Sequence, residues 1–83
     1  MRDMYVVVFR RKEDGIECCD DKTDVYTSKE YAKEMATIEF HRYLRMLDSA
    51  HIEYRKHDSL PFHVVINDNI IAGYVLGKIE MCI

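Results

Sequence analysis

The chain has no tryptophan, one proline and three glycines in 83 residues. So few breakers leave no long linker, no glycine-rich phosphate loop and no low-complexity tract. Its three cysteines, Cys18, Cys19 and Cys82, are an odd count with no C-x-x-C or secreted-type spacing, so reduced thiols are the default reading. Long apolar runs are missing as well. Met4–Phe9 is too short for a signal core, and the run at 70–77 is less than half a membrane span. From these absences the chain is expected to be cytoplasmic, with reduced thiols.

What remains is a globular composition, 48% apolar and 33% charged. Eighty-three residues make one domain spanning 1–83, small enough that oligomerisation is a common source of extra stability. The net charge of −3 is unevenly spread. Between positions 13 and 24, six carboxylates against one lysine leave −5, whereas the rest of the chain carries +2. The expected molecule is an acidic hairpin on a mildly basic body.

Residues 4–11, MYVVVFRR, are apolar on both alternating sets, as in a strand interior to a sheet or covered on both faces. Asp14-Gly15 signals a two-residue hairpin turn, because both residues tolerate positive φ. A second strand over 16–20 follows, and 21–24 reads as a polar turn. The segment Thr27-Ser28-Lys29-Glu30 has capping-box spacing, with Thr27 as the expected cap and Tyr26 and Tyr31 flanking it. The helix is expected from Ser28 to about Leu47–Ala50. One apolar stripe is Ala32, Ala36, Phe40, Tyr43, Leu47 and Ala50, and a second is Tyr31, Met35 and Ile38.

His51–Tyr54 fits either a continued helix or an alternating strand. A loop around Pro61, a strand over 62–66, a turn at Asn67-Asp68-Asn69 and a strand over 70–76 complete the pattern. Gly73, inside that last strand, predicts a bulge or a close approach by a larger neighbour. After Gly77 the residues alternate, as in an extension of the strand or a further edge. The fold class is α+β, an antiparallel sheet in the order β-β-α-β-β with one long helix on one face. One helix covers one face, so Val6, Val8, Ile71 and Val75 are expected on an open side, available for dimerisation or a partner.

The motifs for chemistry are sparse. Cys18 and Cys19 would point to opposite faces of a strand and could not clamp one ion without a local break in it, so zinc would need His57, His63 or Cys82 to converge by folding, and a vicinal disulfide or redox switch is the other option. His41, His51, His57 and His63 lack ligand spacing, although His57 and His63 bracket the Pro61 loop. Ser28, Ser49 and Ser59 sit in no nucleophile motif, and the acids lack calcium-loop spacing. The reading is a non-enzymatic chain without metal or cofactor. Basic clusters at Arg10-Arg11-Lys12, Arg42/Arg45 and Arg55-Lys56, with Tyr5, Tyr43 and Tyr54 for stacking, support an alternative nucleic-acid role, which the net negative charge opposes.

Met4–Phe9, Asp14-Gly15 and VYTSKEYAKEMA at 25–36 together resemble small accessory proteins encoded by bacteriophages and bacteria, over the first 36 residues. The resemblance implies a small protein-binding regulator or inhibitor that occludes a partner surface. The partner-binding residues expected from the sequence are Glu13, Asp14, Glu17, Asp20, Asp21 and Asp24, facing a partner with a basic surface. A homodimer is the other expected assembly.

Overall fold

The computed structural model describes residues 2–18 and 23–81. Its elements run β1 (Arg2–Glu13), β2 (Ile16–Cys18), β3 (Thr23–Tyr26), α1 (Lys29–Ser49), β4 (Tyr54–Lys56), β5 (His63–Ile66) and β6 (Ile70–Met81). All strand pairs are antiparallel, in the order β2-β1-β6-β5-β4, and β3 joins β1 along the same edge as β2. This is the expected α+β fold, with one helix packed against an antiparallel sheet.

The two twelve-residue strands form the spine. β1 and β6 pair without interruption from Arg2↔Met81 to Glu13↔Ile70. Twelve residues at about 3.3 Å each span roughly 40 Å, and the molecule is correspondingly elongated, at 45 × 25 × 22 Å. β1 is interior to the sheet, flanked by β6 on one edge and by β2 and β3 on the other. Two tight turns close the hairpins. Asp14 and Gly15 have φ of 51° and 79°, and Asn67 and Asp68 have φ of 52° and 61°, so these residue types supply the left-handed backbone that strand twist requires. The turns then lock together, with the Asp14 amide donating to the Asn69 carbonyl (3.0 Å) and Asn69 Nδ2 donating to Asp14 Oδ1 (3.1 Å).

Several expectations are corrected. The stretch expected as a polar turn at 21–24 instead contains the start of β3. Thr23 and Asp24 pair with Val8 and Val7, since twelve residues of β1 offer more edge than β2 can fill. The helix cap is Ser28, not Thr27. Extended backbone persists through Ser28 (φ −117°, ψ 130°) because Tyr26 is held opposite Tyr5, and the Ser28 hydroxyl accepts the Tyr31 amide at 3.3 Å. The flanking pair survives the shift, with the Tyr26 and Tyr31 rings edge to face at 5.3 Å. The buried stripe is narrower than expected. Ala32, Ala36, Phe40 and Leu47 are buried and Tyr43 is half-buried, but Ala50 and Ile38 are exposed and Tyr31 is 51% exposed. A helix crossing a sheet this narrow buries only the side facing it.

The helix ends at Ser49, which settles His51–Tyr54. His51 is left-handed (φ 57°), and its amide and that of Ile52 donate to Asp48 O (3.1 Å) and Leu47 O (3.0 Å). This is a Schellman cap with histidine where glycine is usual. Tyr54 then begins β4, an additional edge strand. His51→Gly should therefore raise stability by about 0.5–1 kcal/mol by removing the side-chain penalty of the left-handed state, read as a rise of a few degrees in thermal midpoint. A lower midpoint would contradict that cap.

The core lies between α1 and one sheet face. Val7, Val64, Ile66, Ala72 and Tyr74 meet Ala32, Ala36, Phe40 and Leu47, with Tyr5, Phe9, Phe62 and Leu76 around them. Phe62, Val64 and Ile66 share this face, as expected. Phe9 stacks edgewise between Tyr43 and Tyr74, both at 5.2 Å. Burial first, and then the charges of Glu39 and nearby groups, push the Tyr74 hydroxyl up to about 12. No helix among the described residues is long and apolar enough to cross a membrane.

Candidate functional site

Alternation along each strand sends the remaining residues to the opposite, or back, face. Pairing places Val6 with Val25 and Gly77, Val8 with Val75, and Lys12 with Ile71. Met4, Val65 and Ile79 share this parity. Among the described residues no helix crosses it. Val6 and Val65 are nevertheless buried, whereas Val8, Ile71 and Val75 are half-buried, and Val25 and Ile79 remain 52% and 47% exposed. The four residues foreseen on this face, Val6, Val8, Ile71 and Val75, do lie on it, but Val6 is buried and the other three half-buried, and its exposed apolar positions are instead Val25 and Ile79.

One end of this face is walled. The loop after β4 folds over β6 because both of its histidines serve the loop. His57 Nδ1 accepts the amides of Ser59 (3.1 Å) and Leu60 (3.0 Å), and His63 Nδ1 meets the Pro61 carbonyl at 2.6 Å. The rings bracket the loop, as their spacing indicated, and each is used within it. The Phe62 backbone is left-handed (φ 60°), and its carbonyl accepts the Tyr74 amide at 3.0 Å. Gly73 lies directly beneath. A Cβ there would come within 2.6–2.7 Å of His63 and closer still to the Phe62 carbonyl. The expected close approach is therefore real, and the ladder passes Gly73 without a bulge.

Between this loop and β1 lies a cleft of about 440 Å³. Ile71 and Val75 contribute apolar lining, Leu60 and Pro61 come from the loop, and Arg10, Lys12 and Glu17 come from the hairpin. Arg10 is ion-paired to Glu17, and Arg11 to Glu13 at 3.6 Å. Two acids of the stretch, Glu13 and Glu17, are thus met by arginines of β1, which sequence counting by segment did not reveal.

Of the six expected partner-binding acids, the four that are described, Glu13, Asp14, Glu17 and Asp24, do not share one face. Glu17 shares the back-face parity of Lys12 and lines the cleft. Asp14 sits at the hairpin tip. Glu13 and Asp24 lie on the helix side, Asp24 opposite Val7. Asp20 and Asp21 fall outside the described residues, as do Cys19, Cys82 and the Cys18 side chain. Among the described residues no group of three histidine, cysteine or acidic side chains is placed to hold a metal. Of the basic positions, Arg42 pairs with Glu39 (3.0 Å) and Arg55 with Asp58 (3.7 Å). Tyr5, Tyr43 and Tyr54 are half-buried against the core rather than free to stack on bases. No protein family, curated protein or solved structure matches the chain.

Proposed function

We propose that this chain is a small non-enzymatic regulator or inhibitor that binds another protein in the cytoplasm and occludes part of its surface. The observation that carries this reading is the uncovered back face, an apolar surface bounded at one end by a charged hairpin and a cleft. The partner it fits is a folded protein with an apolar patch bordered by basic side chains. The apolar patch meets Val8, Val25 and Val75, and the basic groups meet Asp14, Glu17 and the further acids at 20 and 21. Apolar burial supplies affinity, and the net acidic hairpin supplies encounter rate and orientation. The resemblance of the first 36 residues to phage and bacterial accessory proteins agrees with this role. The alternative, a nucleic-acid module, requires tyrosines that are here packed inward.

The test is affinity capture with matched baits. Val25→Glu/Val75→Glu, checked for retained fold by circular dichroism, should reduce recovery of the partner at least tenfold. Lys33→Glu, on the exposed side of the helix, should not, and Asp14→Asn/Glu17→Gln should slow association at low salt. Undiminished recovery by the double glutamate variant, or loss with Lys33→Glu, would refute the proposed surface. Steeply salt-dependent binding to DNA or RNA by the unmodified chain would favour the alternative.

A further inference from the structure

The β6 strand is covered unequally along its two edges. β1 pairs with all of it, but β5 pairs only with Ile70–Gly73. The Tyr74 amide reaches the Phe62 carbonyl, and beyond that point Val75–Met81 has no strand on its outer side among the described residues. Because backbone direction alternates along a strand, the outward bond of Tyr74 fixes the rest. Leu76, Lys78 and position 80 turn their N–H and C=O groups away from β1. The run holds no proline, and its register with β1 shows no bulge. The side chain of Lys78 is met by Asp3 at 3.4 Å, which offsets the one described charge that would guard the edge. Long, regular and unguarded edges invite another strand.

We infer that β6 pairs with β6 of a second copy of this chain, antiparallel, about a twofold axis perpendicular to the sheet. Only residues that direct their backbone groups outward can exchange hydrogen bonds, so Lys78 must face an even-numbered position of the other strand. The register centred on Ile79 sets Lys78 across from position 80, a glutamate in the sequence, so the paired residue types are opposite in charge. It also brings the exposed Ile79 beside its counterpart. Self-pairing is isologous and closes at two copies. The axis keeps both helices on one side and joins the two back faces into one surface. This inference concerns the edge and stands apart from the partner proposed for the face.

Proline separates the ladder from the edge. At Lys78 the lost N–H points outward, so Lys78→Pro spares the β1–β6 pairing while removing a donor that the second strand needs. Sedimentation equilibrium should show a concentration-dependent dimer for the unmodified chain, and association at least tenfold weaker for Lys78→Pro. If that variant does not fold, Lys78→Glu decides. It keeps every backbone donor and sets like charges across the interface, so the dimer should weaken several-fold, more at low salt. A chain still monomeric at about 1 mM, beyond the range of a useful contact, would overturn the inference. So would dimerisation undiminished in the folded proline variant, or in Lys78→Glu where the proline variant does not fold.

Discussion

Gly73→Ala is expected to cost about 3 kcal/mol, near the upper end for adding one methyl group to a closed site. For a domain of this size that lowers the thermal midpoint by roughly 12–24 °C. The reason is geometric. The Phe62 carbonyl and the His63 backbone and ring occupy the space a Cβ needs, and two of these obstacles are main chain. They cannot withdraw independently, because the Phe62 carbonyl takes the Tyr74 amide and the His63 carbonyl takes the His57 amide at 2.9 Å. Moving them opens the β5–β6 pairing and the loop over the cleft together. Gly77→Ala provides the contrast. There the added carbon meets only a Val6 methyl, at 3.0 Å, and a smaller loss is expected. Thermal unfolding of the two variants checks the ordering, and equal midpoints would contradict it.

Leu47→Ala is expected to cost about 3 kcal/mol, within the range for emptying a closed apolar site. Leu47 is 1% exposed and belongs to the cluster between α1 and the sheet. Val25→Ala, on the back face, should cost less than about 1 kcal/mol, since a half-exposed valine leaves water rather than a cavity behind. Urea denaturation of the two variants measures the asymmetry between the faces. A comparable loss in both would mean that something also covers the back face.

The sequence made the architecture readable where residue type and backbone geometry are tightly linked. Asp14-Gly15 and Asn67-Asp68 are positive-φ turns because few other residues adopt that backbone cheaply. Gly73 announced a close approach, although not that Phe62 and His63 would make it. The double apolar pattern of β1 allowed an interior strand or one covered on both faces, and the strand is interior; the second face without a helix followed from there being one helix. What escaped was set by distant partners. β3 is only half apolar and is a strand because β1 offers it an edge. β4 is three residues long and depends on β5. Ser28 displaced Thr27 as cap because strand pairing at Tyr26 extends the backbone past Thr27. Tyr31 and Ile38 have helical spacing but lie off the line of contact with the sheet. At the candidate site, the cleft and the Arg10–Glu17 pair arise only when the hairpin, the Pro61 loop and β6 are brought together. The open outer edge of β6 beyond Tyr74, among the described residues, follows from β5 being four residues long, which no local signal marks.

The central claim is that α1 shields one sheet face and leaves the other to water or to a bound molecule. Methyl NMR with a soluble paramagnetic agent, at dilute protein, reads both faces in one experiment. The methyls of Val8, Val25, Val75 and Ile79 should relax strongly, and those of Val7, Val64 and Leu47 weakly. Equal protection of both sets would contradict the account.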